Sequence, residues 1–262
     1  MRIGWRRSAL ALGLIAAAAL AASAMASPSA AQDSADPPCV LDKCLGAGPD
    51  ATTPPIPPTG RRPGPIGSSV ATPGNFDFYV LALSWSPGFC ATGGAEKAGR
   101  QCAPGSGLGF VVHGLWPQFT HGFPNDCGPA GRFPSRHALD SVDGLYPDTG
   151  LARYEWRKHG TCSGKSPTDY FADVKRARGG IAIPPPLLAP REDQTWVPID
   201  VARAFAAANP GLRPDEMAVT CRQATLEEVR ICLAKDLRGY VPCPEVARGS
   251  CRTRQMNVPG LR

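Results

Sequence analysis

Four histidines occur in the 262 residues: His113, His121, His137 and His159. Two of them stand in unusual company. His113 closes a β-rich apolar run in Val112-His113-Gly114-Leu115-Trp116-Pro117. His159 lies in Tyr154-Glu155-Trp156-Arg157-Lys158-His159-Gly160-Thr161-Cys162. On a helix, Glu155 and His159 stand four apart and share a face, with Lys158 beside them. Two imidazoles that titrate near neutrality can form an acid–base couple. A lysine next to them can neutralise charge developing on an anion. A carboxylate nearby favours the protonated imidazole. Such a set suits phosphoryl transfer without a metal. The same residues also have a plainer account. Glu155 and Lys158 would then be a solvated helix pair, His159 a C-terminal cap favoured by the helix dipole, and His113 a core histidine with its hydrogen bonds met. Spacing alone does not bring the two segments together.

Strands and helices must do that. Asp77 to Trp85 (DFYVLALSW) reads as a buried strand, ended by Ser86-Pro87-Gly88. Gly107 to His113 reads as a second strand, stopped by Gly114 and Trp116-Pro117. Residues 117–150 are rich in Gly, Pro, Asn and Asp and read as a long loop stapled by Cys127. Tyr154 to Gly160 fits one or two helical turns, with Gly160 as the stop. Thr168 can cap a helix through Lys175, and another runs from Ile199 to Ala208 until Asn209-Pro210-Gly211. Val229, Ile231 and Leu233 alternate with Arg230, Cys232 and Ala234, the period of a strand. Strands and helices mix without regular βαβ alternation. That favours an α+β fold: a central, mainly antiparallel sheet with flanking helices and long disulfide-stapled loops.

The chain begins like an export signal. Arg2, Arg6 and Arg7 precede an apolar run from Ala9 to Ala22, and Ala24-Met25-Ala26 is an A-x-A cleavage site. Residues 1–26 are therefore expected to be removed, with Ala31 as a later cut. The alternative is a retained anchor, but the run is short for a membrane span. Cleavage removes three arginines and no acid, so the formal charge of +6 falls to near +3. That charge alone does not imply a polyanionic partner. Residues 27–74 read as a Pro/Gly-rich tail or linker, polyproline-like over 52–58. Residues 75–262 are left as the folded domain. With 29 Gly and 29 Pro the chain is no helical bundle or coiled coil. Its aliphatic and aromatic content excludes a wholly disordered chain. The 10 cysteines all follow the signal, which reads as five disulfides formed in an oxidising space. No C-x-x-C and no paired His motif accompanies them, so no metal site is expected.

His113-Gly114-Leu115-Trp116-Pro117 and the segment from Glu155 to Cys162 resemble, in order and separation, the two active-site segments of the ribonuclease T2 family. Phe76 to Cys90 resembles the family's opening strand, and Val229 to Pro244 its late strand. The resemblance covers about 76–250 of this chain. It implies an endoribonuclease that needs no cofactor. His159 would be general base on the ribose 2′-OH and His113 general acid on the leaving 5′-oxygen. Glu155 and Lys158 would stabilise the phosphorane. The product would be a 2′,3′-cyclic phosphate, opened later to a 3′-phosphate. Trp116 matches a residue that stacks the base on the 5′ side of the cut, and stacking tolerates many bases.

This sequence departs from the family at two places. Tyr154 stands where many members carry a phosphate-binding histidine; a phenol donates a hydrogen bond but brings no positive charge. Lys158 and Arg157 would compensate in part. Gln118 stands where some relatives have an acidic residue that favours adenine, so weak base preference is expected. His121 and His137 match no catalytic position and are expected in loops.

The resemblance further suggests the disulfides Cys127–Cys162, Cys221–Cys232 and Cys90–Cys102, leaving Cys243–Cys251 and Cys39–Cys44. Cys162 as a nucleophile beside His159 is the rival a disulfide would remove. The expected partner is single-stranded RNA. DNA lacks the attacking hydroxyl and should not be cut. The exported protein, periplasmic or secreted, is expected to be a monomer that does not insert into a membrane once the signal is gone. Two other classes are weighed against the enzyme: an exported RNA-binding or regulatory protein on the same fold with little turnover, and an interaction module whose Pro-rich tail is the working part.

Overall fold

A computed structural model describes residues 71–96, 99–128 and 133–261. The expected signal segment, nearly all of the expected tail and the expected Cys39–Cys44 pairing lie outside the described residues. β1 (Phe78–Trp85) is buried along its whole length, as its unbroken apolar run predicts. It lies between β2 (Phe110–Gln118) and β5 (Thr225–Ala234), antiparallel to both. β4 (Met217–Arg222) pairs antiparallel with β5. β6 (Met256–Val258) makes one parallel bridge to β5 and carries β3 (Gln194–Trp196) on its far side. β2 is the edge of this mainly antiparallel sheet. The helices are α1 (Ser86–Phe89), α2 (Arg136–Asp140), α3 (Thr149–Lys158), α4 (Pro167–Gly179), α5 (Pro185–Leu188), α6 (Pro198–Ala208) and α7 (Pro244–Ala247). The α+β expectation holds.

Because side chains alternate along a strand, β1 serves two layers. Tyr79, Leu81, Leu83 and Trp85 enter the main core with Trp156 of α3, Tyr170, Phe171 and Val174 of α4, and Val201 and Phe205 of α6. On the other face Phe78 and Val80 join Cys232 and Cys243 in a smaller cluster. Further along that face β1 offers only the small residues Ala82 and Ser84.

Several elements differ from the sequence expectation. β2 does not stop at Gly114 but runs on to Gln118. Pro117 is tolerated because an edge strand needs a ladder partner on one side only. α3 starts at Thr149, since Asp148 caps it by accepting a hydrogen bond from the Leu151 amide at 2.9 Å. The cap of α4 is Ser166 rather than Thr168, and that helix continues to Gly179. The expected loop over 117–150 contains α2, capped by Ser135, so His137 is helical rather than in a loop.

The disulfides Cys90–Cys102 and Cys127–Cys162 are as expected. The other two pairings are corrected: the bridges are Cys221–Cys251 and Cys232–Cys243. In the β4–β5 hairpin Cys221 faces Leu226, while Cys232 stands six residues further along β5. That is about 20 Å away, beyond the reach of any disulfide. With Cys162 bonded to Cys127, the cysteine-nucleophile alternative has no free thiol.

Candidate active site

The site is built where α3 meets β2. His113 sits at a β-bulge. Leu83 of β1 pairs with Val112 and Ala82 pairs with Gly114, so His113 is the extra residue of β2. An extra residue bends the strand and re-aims a side chain. Strict alternation would send His113 into the core beside Leu115. The bulge instead lets it face Glu155 and Glu228, on the side where Trp116 contacts Glu155.

α3 supplies the facing residues. Trp156 buries the helix in the core, which leaves its neighbours Glu155 and His159 on the β2 side. His159 is the C-cap, its amide donating to the Glu155 carbonyl at 2.9 Å. The chain then tightens into a 3₁₀ turn, Gly160–Ser163. The Asp126 amide donates to the Lys158 carbonyl at 2.8 Å, and Cys127–Cys162 staples the same loop to that turn.

A cleft of about 490 Å³ results. His113, Trp116, Gln118, Tyr154, Glu155, Lys158 and His159 all line it, so the residues expected to act on or bind the substrate reach one place, Arg157 excepted. The imidazoles of His113 and His159 lie 5.2 and 5.4 Å from the Trp116 ring, centroid to centroid. Trp116 Nε1 donates to Glu155 Oε2 at 2.7 Å, and Glu155 Oε1 is 3.7 Å from His113 Nε2. Lys158 Nζ donates to the Tyr154 hydroxyl at 3.0 Å, and Arg157 stacks on the same phenol ring at 5.5 Å. The Gln118 side chain donates to the Pro117 carbonyl at 3.0 Å. His121 and His137 are exposed and do not line the cleft.

Gly114 leaves room for this arrangement. A Cβ there would meet both Glu155 Oε2 and Trp116 Nε1 at 2.2 Å. Polar and aromatic contributors not read from the sequence include Phe123, Glu228, Arg230 and Glu245. Phe123 is 53% exposed and its ring is 6.4 Å from His159. Arg230 stacks on Trp116 at 5.3 Å. Glu228 contacts His113 Nδ1. The alternation of Val229, Ile231 and Leu233 had already set Arg230 on the opposite face. The rule that side chains two apart share a face would have added Glu228.

The two histidines have opposite electrostatic surroundings. Burial opposes charge on His113, but the Glu228 carboxylate bonded to it, with Glu155 behind, outweighs burial and raises its pKa above 6.5. For His159, burial, then Lys158, then His113 all disfavour the proton, and its pKa drops to about 3. Its Nδ1 is buried with no hydrogen-bond partner among the described residues. Burial raises the Glu155 carboxyl, against the pull of His113, Trp116 and Lys158. The hydrogen bond to Tyr154 raises Lys158. The surroundings therefore favour a proton to give on His113 and a lone pair to receive one on His159.

Fold and site together define a disulfide-stapled α+β protein with an acid–base cleft at one sheet edge. The chain belongs to the ribonuclease T2 family, whose sequence profile matches residues 76–243. It is 44% identical to a ribonuclease of Aeromonas hydrophila over 113 residues, 40% of this chain and 47% of that one. The match thus spans about half that relative's length. It is 27% identical to ribonuclease DdI of Dictyostelium discoideum over 197 residues, 68% of this chain and 83% of that one. Among solved structures, an RNase-related protein from Calystegia sepium superposes with a TM-score of 0.54 at 22% identity, covering 71% of this chain and 98% of its own. RNase NT in complex with 5′-AMP superposes at 0.54 with 18% identity, covering 71% and 100%. These two likenesses bear on the fold.

Proposed function

We propose that this protein is a metal-independent endoribonuclease that cleaves single-stranded RNA by transesterification. His159, neutral, takes the proton from the ribose 2′-OH. The oxygen attacks the adjacent phosphorus, and His113, protonated, gives its proton to the departing 5′-oxygen. Lys158 lies where it can balance the charge gathering on the phosphorane, and Glu155 holds Trp116 and faces His113. Trp116 stacks a base, and Gln118 and Tyr154 line the rest of the cleft. The observation that carries the reading is the pairing of two imidazoles of opposite proton affinity on one indole ring, in one cleft.

Family membership and the ribonuclease relatives support RNA as substrate. The disulfide content supports action in an oxidising space outside the cytosol, after loss of residues 1–26. Residues 75–262 would be the catalytic domain and 27–74 a tail.

The test uses purified, oxidised protein. It should degrade RNA in excess EDTA, leave DNA intact and release 2′,3′-cyclic phosphates from dinucleotides. Each of His113→Phe and His159→Phe should cost at least about 10²-fold, since one acid or base supplies about 10²–10⁴. RNA bound but uncut by the unaltered protein would favour a binding or regulatory role instead.

A further inference from the structure

The acid of this couple has a partner that its sequence segment does not contain. Glu228 lies on β5, two strands away from His113 on β2, with β1 between them. Neighbouring strands are about 4.8 Å apart, so the gap between the two backbones is near 10 Å. The His113 and Glu228 side chains close it, Nδ1 against Oε1. They pass over the small end of β1. Ala82 pairs with Arg230 on one side and Gly114 on the other, and Ser84 pairs with Glu228 and Val111. A larger residue at 82 or 84 would fill that floor.

Glu228 is itself fixed. It is only 4% exposed. Its other oxygen, Oε2, accepts from both Nε and Nη2 of Arg230 at 2.8 Å. Arg230 in turn stacks on Trp116. An ionised carboxylate only accepts hydrogen bonds, so His113 Nδ1 must be the donor. The other nitrogen, Nε2, is turned toward the Glu155 side of the cleft. His159 has no such carboxylate at its buried Nδ1 among the described residues.

We propose that Glu228 is a positioning residue for His113: held by Arg230 over the Ala82–Ser84 floor, its carboxylate fixes a hydrogen on Nδ1 and so presents Nε2–H to the leaving oxygen. This deepens the proposed reaction and rests on His113 being its acid. When the bond from phosphorus to the 5′-oxygen breaks, the electron pair stays on that oxygen and the Nε2 proton joins it. The Nδ1 hydrogen stays on the ring, and His113 remains in the site as a neutral imidazole. The ring opening of the cyclic phosphate by water can then return the proton.

The test separates the proton from the rest of the site by changing the leaving group. A dinucleoside monophosphate needs a proton on its departing oxygen. A nucleoside 3′-(4-nitrophenyl phosphate) does not, because 4-nitrophenolate leaves unaided. Glu228→Gln in the full oxidised chain should lose about 10- to 100-fold in kcat on the dinucleotide at little-changed KM, and under about threefold on the nitrophenyl ester. His113→Phe should show the same split, more steeply. Turnover of the ester also reports that the site is folded. If Glu228→Gln does not fold, Glu228→Asp retracts the carboxylate by one methylene and should give the same split in smaller measure. Equal loss on both substrates, or no loss on either, overturns the proposal while leaving the nuclease reading intact. An unaltered protein that turns over neither substrate overturns the nuclease reading itself, and this assignment with it.

Discussion

His113 and His159 flank one indole ring, yet their surroundings pull their proton affinities apart. The consequence is a pH profile with a computable sense. His159 must be neutral to act, so activity rises as pH climbs past its depressed value, about 3 in the free protein. His113 must be protonated, so activity falls once pH passes its value, which lies above 6.5. The plateau should therefore cover mildly acidic to neutral pH. Rate measurements on a dinucleotide from pH 3 to pH 9 check this, and an optimum confined to alkaline pH would contradict the roles. The groups that set the alkaline limb are Glu228, Glu155 and Arg230, so Glu228→Gln should move that limb to lower pH. At this scale the sequence was most legible where chemistry is written in a contiguous motif. His113, Trp116, Glu155, Lys158 and His159 came from two short segments. Glu228 did not, because Glu227-Glu228-Val229-Arg230 looks like any strand with a solvated face. Only the strand order brings it across β1 to His113.

At the scale of elements, two backbone irregularities do the positioning. One is the bulge of β2, which turns His113 out of the core. The other is the end of α3, where His159 caps the helix and the chain tightens. The sequence announced both places by glycine, but it read Gly114 as a strand stop. The residue is instead the gap through which Trp116 reaches Glu155. Gly114→Ala should therefore break that hydrogen bond, since its methyl would lie 2.2 Å from both partners. The expected result is a loss of RNA cleavage of about tenfold or more, an electrostatic contact of a few kcal/mol being at stake, in a protein that still folds. Parent-like kcat in that variant would mean that the Trp116–Glu155 contact is dispensable. The start of α3 was also misplaced, because Asp148 sits within a Gly- and Asp-rich stretch that masks its capping role. Asp148→Ala should lower stability by about 1 kcal/mol, seen in a thermal melt, and leave the cleft chemistry alone.

For the molecule as a whole, the sheet carries one histidine of the proposed couple and the end of α3 carries the other, so something must hold the two together. The main core does part of this through Trp156. The Cys127–Cys162 bridge does the rest, because it ties the loop that follows β2 to the turn that follows His159. That loop also supplies Phe123 beside His159 and the Asp126 amide on the Lys158 carbonyl. Local spacing could suggest this bridge through resemblance but could not fix the pairings of Cys221, Cys232, Cys243 and Cys251. Those depend on which end of the β4–β5 hairpin each cysteine occupies. A comparison of two double variants tests the division of labour. Cys127→Ala/Cys162→Ala opens a link across a separation of 35 residues, and Cys90→Ala/Cys102→Ala one across 12. Loop-closure entropy puts these at about 4 and about 3 kcal/mol of stability, so both variants should melt earlier and by similar amounts. Only the first should lose kcat on RNA well below its melting temperature, because only the first frees the turn that carries His159. The Cys90–Cys102 bridge lines no part of the cleft, and its loss should leave kcat near the parent value. If the first variant keeps parent kcat while melting earlier, then the core alone fixes the distance between the two imidazoles, and the bridge contributes stability and nothing to the geometry of the reaction.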